Sequence, residues 1–180
     1  MTLVEMGAVT IRKADRGDAA RLALVGAATF LDTFAGVIRG DDIVAHCRSA
    51  HAPALYEALL TSQGASAWLA EAVEGAAPVG YALLMQPELP VRDPQPDDME
   101  LKRIYVLSRF HGTEVGSRLM NAAAEEAIRR GAHRLLLGVY AQNQCALAFY
   151  AKHGFSKIGE RQFQVGANTY GDDILARPLP

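Results

Sequence analysis

The residues best suited to chemistry lie between positions 99 and 131. An apolar run, Leu101, Ile104, Tyr105, Val106 and Leu107, gives way to the polar turn His111-Gly112-Thr113-Glu114. Val115, Leu119, Ala123 and Ala127 then recur at helical spacing until Gly131 supplies a stop. The pattern predicts a strand, a loop and a helix N-terminus in immediate succession. Such an N-terminus presents backbone N–H groups with no intrahelical partner and the positive end of the helix dipole, so it binds anions without a basic side chain. Gly112 and Gly116 allow the backbone to approach a ligand closely, and Ser117 offers a hydroxyl to a phosphate. An ordinary strand-to-helix connection, with Thr113 as N-cap and Glu114 as a first-turn acid, accounts for the same residues.

A second constellation, Asn143, Ala146, Tyr150, Gly154 and Phe155, narrows the reading. Together the two stretches resemble the Gcn5-related N-acetyltransferase (GNAT) superfamily. That superfamily carries a Gln/Arg-x-x-Gly-x-Gly/Ala loop after its fourth strand and then an N-x-x-A-x-x-x-Y-x-x-x-G-F segment. The second motif is matched at every position. In the first, His111 stands at the Gln/Arg position and Glu114 at the first Gly, leaving Gly116 to fit. A closer likeness, covering most of the chain, is to the bacterial PaiA-type spermidine/spermine acetyltransferases. It includes the Thr29-Phe30-Leu31-Asp32-Thr33-Phe34 stretch, Arg103-Ile104-Tyr105, Leu137-Gly138-Val139 and residues 170–179.

The resemblance implies one α/β domain over residues 1–180 with the acyl-CoA N-acyltransferase fold: a mixed, mostly antiparallel sheet flanked by helices, its central strand pair splayed. It implies acetyl-CoA as cosubstrate and no metal. The pyrophosphate would rest on His111, Gly112, Thr113, Glu114, Val115, Gly116 and Ser117, and the pantetheine arm alongside Ile104, Tyr105 and Val106. Asn143 would hold the cofactor by its amide, and Tyr150 would return a proton to the leaving thiolate. The acceptor would be a primary amine, polyamine-like or a peptide N-terminus, meeting Phe30 and Phe34, with Asp32, His46 and His51 nearby. A homodimer is common in this superfamily.

The chemistry requires a neutral amine. An alkyl ammonium with a pKa of about 10.4 is deprotonated at pH 7 only to the order of one part in 10³, so a base must take the proton. Some relatives place a Glu on the strand after the pyrophosphate helix, where this chain has Gly138. Others use a Glu on the central strand, a position that corresponds to Glu100. Strict alternation puts Glu100 and Ile104 on one strand face, about 13 Å apart, so a water would relay the proton. Glu100 as a plain strand-edge charge is the other reading. Glu114, pointing inward, would repel a pyrophosphate; pointing outward, it favours the helix. Glu114 and Gly138 together motivate an alternative, a catalytically silent CoA-binding sensor or interaction protein of the same fold.

Composition bounds the rest. The chain has 180 residues, half of them apolar, and a net charge of −2. One domain with a full core is expected, with no general attraction to nucleic acid. No apolar run approaches the ~20 residues needed to cross a bilayer, so no membrane role is expected. The first residues lack the pattern of a signal peptide, which suggests a cytoplasmic protein. Cys47 and Cys145 are too few for a zinc site, and Cys145 is expected as a buried structural thiol. Residues 87–96 are proline-rich, and Glu88, Asp93, Asp97 and Asp98, with Arg92 the only base, make this loop acidic; it would draw a cationic acceptor, or it is a solvated acidic loop with no partner.

Periodicity predicts strands at 9–13, 67–73, 79–85, 99–107, 134–140, 155–165 and 172–177. Helices are predicted at 15–34, 41–47, 53–60, 115–131 and 143–153.

Overall fold

The structure is a computed structural model that describes residues 8–180. Seven strands form one sheet in the order β1-β2-β3-β4-β5-β7-β6. They are β1 (Val9–Lys13), β2 (Ser66–Ala72), β3 (Pro78–Met85), β4 (Asp98–Val106), β5 (Arg134–Tyr140), β6 (Ser156–Val165) and β7 (Asn168–Pro178). The helices are α1 (Ala19–Phe34), α2 (Gly40–Ala50), α3 (Pro53–Thr61), α4 (Val115–Arg129) and α5 (Gln144–Lys152). All neighbouring strands run antiparallel except β4 and β5, which are joined by α4, the crossover helix that a parallel pair requires.

Both sheet faces are covered. On one face, Leu119, Met120, Ala123 and Ala127 of α4 pack with Leu101, Leu135 and Leu137, and Tyr150 and Phe149 of α5 join them. On the other, Leu22, Ala23 and Val25 of α1 and Tyr56 of α3 pack on Leu69, Tyr81 and Leu83. The proline-rich loop covers the far part of that second face, where Leu89 meets Leu136 and Ile174. Burying such side chains contributes roughly 1.5–3 kcal/mol each, which clamps the strands that carry the site.

The parallel pair is short. Asp98, Met99 and Glu100 pair with Arg134, Leu135 and Leu136, and there the pairing ends. Beyond that point β4 stays with β3 up to Val106 while β5 continues with β7, so the two central strands splay apart. This is the splayed pair that the resemblance implied.

Element ends shift by a few residues from the predicted ones. The largest difference is at α1: Arg16–Asp18 form a separate 3-10 turn, closed by the capping box between Asp15 and Asp18. Glu114, not Thr113, holds the N-cap of α4, and no side chain caps it. The Thr113 hydroxyl instead donates to the Phe110 carbonyl at 2.6 Å. Glu160 and Lys157 lie on an exposed edge strand, β6, and pair with each other across the bulge at Ile158.

Candidate functional site

A cavity of about 590 Å³ opens where β4 and β5 part. Its walls come from β4, from the loop before α4, from α5, and from α1, α2, β6 and β7.

The cofactor-sized half begins with the backbone of β4. Leu107 donates its N–H to the Val79 carbonyl on β3 at 2.9 Å. Antiparallel alternation from that bond turns the Ile104 and Val106 N–H groups away from β3, into the split. The loop that follows is held open by Gly112, whose φ of 75° is a left-handed conformation that a side chain would strain. Among the described residues, the N–H groups of Gly112, Glu114, Gly116 and Ser117 have no acceptor within the protein. Four free donors at the positive end of a 15-residue helix form a ready anion site. Asn143 caps α5, its Oδ1 accepting from the Ala146 N–H at 3.1 Å, which leaves its amide N–H₂ for a ligand.

The expected cofactor residues divide into two sets. Ile104, Tyr105, Val106, His111, Gly112, Thr113, Gly116, Asn143 and Tyr150 all line the cavity. Glu114, Val115 and Ser117 do not: Val115 is buried in the core, the Ser117 hydroxyl lies 3.1 Å from His153 Nε2, and Glu114 is exposed. Glu114 is thus solvent-exposed and outside the cavity lining. His111 is already engaged, its Nε2 donating to the Val106 carbonyl at 2.7 Å, so the side chain stiffens the loop instead of reaching outward.

Tyr150 sits in the cavity wall, 8% exposed, and burial pushes its phenol pKa well up, with the nearby Tyr105 adding to the effect. It therefore carries its proton at neutral pH. Cys145 also lines the cavity and is exposed, contrary to the buried structural thiol expected. It lies in the first turn of α5, on the side the core does not need.

Glu100 requires a correction. A bulge in β4 leaves Lys102 without a partner, Arg103 facing Leu83 and Leu101 facing Leu84. The extra residue inverts the alternation, so Glu100 and Ile104 lie on opposite faces. Glu100 is 1% exposed, accepts the Glu88 N–H at 2.7 Å, sits 3.4 Å from Lys102 Nζ and does not line the cavity. It is a structural acid that ties down the proline-rich loop. Three of the four acids of that loop are likewise engaged, Glu88 with Lys102, Asp97 with His133 and Asp98 with Arg134, and none of the four lines the cavity.

The acceptor-sized half holds residues that sequence reading passed over. Phe30 and Phe34 are there as expected, with ring centroids 4.7 Å apart. His46 stacks on Phe30 at 4.2 Å, and Phe163, Tyr140 and Tyr170 complete an aromatic wall. Asp32 lies outside it, accepting the Ser108 N–H at 2.6 Å. Asp172 of β7, paired with Tyr140 across the sheet, points in beside Arg161. Arg161 Nε and Nη2 both donate to Asp172 Oδ2, at 3.1 and 3.0 Å, leaving Oδ1 uncommitted. Burial raises the Asp172 pKa above its usual 3.8, with Arg161 opposing. A side chain on Gly138 would meet Arg161 Nη2 at 2.8 Å, so the arginine occupies the space a glutamate there would need. His51 Nδ1 lies 2.9 Å from the Tyr56 hydroxyl, and Arg103 Nη1 donates to that same hydroxyl at 2.9 Å. Among the described residues, no group of three or more His, Cys, Asp or Glu could hold a metal ion, and no helix is long and apolar enough to span a membrane.

Comparison with known proteins places this geometry. Solved structures share the fold. The PaiA N-acetyltransferase of Thermoplasma acidophilum in complex with coenzyme A superposes with a TM-score of 0.76 at 19% identity, covering 95% of this chain and 99% of that one. A GCN5-related N-acetyltransferase of Rhodopseudomonas palustris gives 0.73 at 22% identity, covering 99% and 100%. A curated relative of Mycobacterium tuberculosis H37Rv, named as an uncharacterized N-acetyltransferase, is 39% identical over 101 residues, 56% of this chain. That match spans 60% of the relative's own length. The family model described as the acetyltransferase (GNAT) family matches residues 30–155, most of the chain including the split strands, the anion loop and the Tyr150 helix, and the protein belongs to that family.

Proposed function

We propose that the protein is an acetyl-CoA-dependent N-acetyltransferase that passes the acetyl group directly from the thioester to an amine. The observation that carries this reading is the continuity of one cavity from the free N–H groups at the start of α4, past the unpaired edge of β4, to Tyr150 and on to the aromatic wall. The pyrophosphate is assigned to the N–H groups of residues 112–117, and the pantetheine to the Ile104 and Val106 backbone. The carbonyl oxygen, which gains negative charge as the amine attacks, is assigned to an N–H of the splayed strand, a fixed donor that needs no reorganisation. Tyr150 protonates the departing thiolate, whose pKa near 8.5 asks only modest help.

Asp172 replaces Glu100 as the proton acceptor in this reading. Asp172 lines the cavity with its Oδ1 uncommitted, and burial raises its pKa towards the operating range of a base. The acceptor is a small-molecule amine or a peptide N-terminus. A polyamine, suggested by the PaiA likeness, has the least support, since none of the loop acids lines the cavity and the cavity holds Lys102, Arg103 and Arg161 against the single carboxylate of Asp172. Work in the cytoplasm, where the two free cysteines would stay reduced, and a homodimeric state complete the proposal. The test is a calorimetric titration with acetyl-CoA followed by a thiol-release assay against varied amines. Binding with amine-dependent release supports a transferase; binding without release on any amine supports the sensor reading.

A further inference from the structure

Of the charged residues lining the cavity, Lys102, Arg103, Arg161 and Asp172, Arg103 has neither a part in the proposed chemistry nor a carboxylate partner among the described residues. It lines the cavity from β4, immediately before Ile104, so its Cα is about 3.8 Å from the Cα of a residue assigned to the pantetheine arm. Its side chain leaves the strand on the face covered by α1 and α3, and stacks against Tyr56 with the guanidinium carbon 5.6 Å from the ring centre.

Its partners are unusual for a half-buried cation. Among the described residues, Arg103 makes a single side-chain hydrogen bond, to the Tyr56 hydroxyl, and no carboxylate lies within 4.0 Å. By contrast Arg161 is matched by Asp172, Arg134 by Asp98 and Lys102 by Glu88. The supporting shell is neutral throughout. The Tyr56 hydroxyl that accepts from Arg103 also lies 2.9 Å from His51 Nδ1, and burial keeps both rings uncharged at neutral pH. The buried Tyr81 hydroxyl, in the same cluster, has no hydrogen-bond partner. A guanidinium has five donors, and among the described residues only one of those on Arg103, a residue lining the cavity walled by Phe30, Phe34, His46 and Phe163, is spent, on a phenol. Removing such a charge from water without a counter-ion is costly, and a bidentate oxyanion is the ligand whose shape and charge satisfy it.

Resting on the transferase reading, we infer that the acceptor is an amine that also bears a carboxylate, an amino acid with an apolar or aromatic side chain, with the carboxylate held by Arg103. The amine then lies towards Asp172 and the thioester, and the side chain against the aromatic wall. A polyamine has no group for Arg103 and is repelled by it.

The test compares ligands that differ only in the carboxylate. Protein saturated with CoA is titrated calorimetrically with N-acetyl-L-phenylalanine and with N-acetyl-2-phenylethylamine. The carboxylate form is expected to bind about 10- to 100-fold more tightly, the range of a charge-assisted pair. Arg103→Met should bring the two to parity, and Arg103→Lys should lose much of the difference while keeping the charge. Parity in the unmodified protein, or tighter binding of N-acetylspermidine, overturns the inference whether or not any variant folds. Turnover is measured separately: a carboxylate preference without thiol release on L-phenylalanine, L-methionine or L-leucine defeats the transferase reading and leaves the anion site standing. If CoA itself fails to bind, the same pair of titrations is made on the protein alone, and equal affinities there still overturn the inference.

Discussion

Acidification should weaken this fold in a window set by two histidines of the acceptor half. Burial, and then the charge of Arg103, hold His46 at a pKa of about 4 and His51 at about 3, against 6.5 for a free imidazole. Both are therefore neutral in the native state and protonated in the unfolded chain once the pH falls below 6.5. The unfolded state binds the extra protons, so the stability present above pH 6.5 is lost as pH falls towards the native values. At pH 5 each group lies about 1.5 units below its unfolded pKa, a loss of about 2 kcal/mol apiece and about 4 kcal/mol together. Against a total stability of roughly 5–15 kcal/mol this is a large fraction. With a urea dependence of ~2 kcal/mol/M, the unfolding midpoint should fall by about 2 M between pH 7.5 and 5. Trp68, the single tryptophan and 6% exposed, reports unfolding by fluorescence. His153, also lowered by burial, acts in the same direction, whereas Asp172, raised by burial, opposes it. The comparison that isolates the pair is therefore unmodified protein against His51→Gln, in which the pH 7.5-to-5 loss should shrink by about 2 kcal/mol. An identical pH dependence in the two proteins would refute the account of a neutral, desolvated His51 bonded to Tyr56.

Three further outcomes follow from the site. Asp172→Asn should lower kcat/KM about 100-fold and remove the acid limb of the pH–rate profile, because a base must be ionised to act and activity should fall as pH drops through its raised pKa; a retained acid limb assigns the proton to another group. Glu114→Gln should change acetyl-CoA affinity less than about threefold, with the change shrinking in higher salt, since the side chain is exposed and outside the cavity; a large gain would place the carboxylate against the pyrophosphate. Cys145→Ser should retain kcat within about twofold, because direct transfer needs no acetylated thiol; abolished turnover would indicate an acetyl-enzyme.

What the sequence disclosed was local, and what it hid depended on long-range registry. The anion loop could be read because its logic is confined to a strand end, a turn and the first residues of one helix, Gly112 and Gly116 among them. Tyr150 and Asn143 were readable for the same reason, lying seven residues apart around one helix. Glu100 was misplaced because alternation assumes a regular strand, and the extra residue at Lys102 reverses every side chain beyond it. Asp172 enters the site only through the pairing of β7 with β5, opposite Tyr140, a contact that no local pattern reports. An acid at an inward position between Gly171 and the apolar run 174–176 was the one available hint. Whether the acidic loop served an acceptor was hidden for a related reason: three of its four acids have partners further along the chain in Lys102, His133 and Arg134. The neutral cluster around Arg103 draws on α2, α3, β3 and β4, so its lack of a carboxylate becomes visible only once these elements are assembled.

The central claim is direct transfer of an acetyl group within one cavity, with Tyr150 as the proton donor. Amine-dependent thiol release measured side by side for the unmodified protein and Tyr150→Phe tests it most directly, with acetyl-CoA affinity determined on both. The account predicts release that requires the amine and falls about 100-fold in the variant, while acetyl-CoA binds the two with similar affinity. Equal release rates in the two proteins, or a loss of rate that follows entirely from lost acetyl-CoA binding, would contradict it.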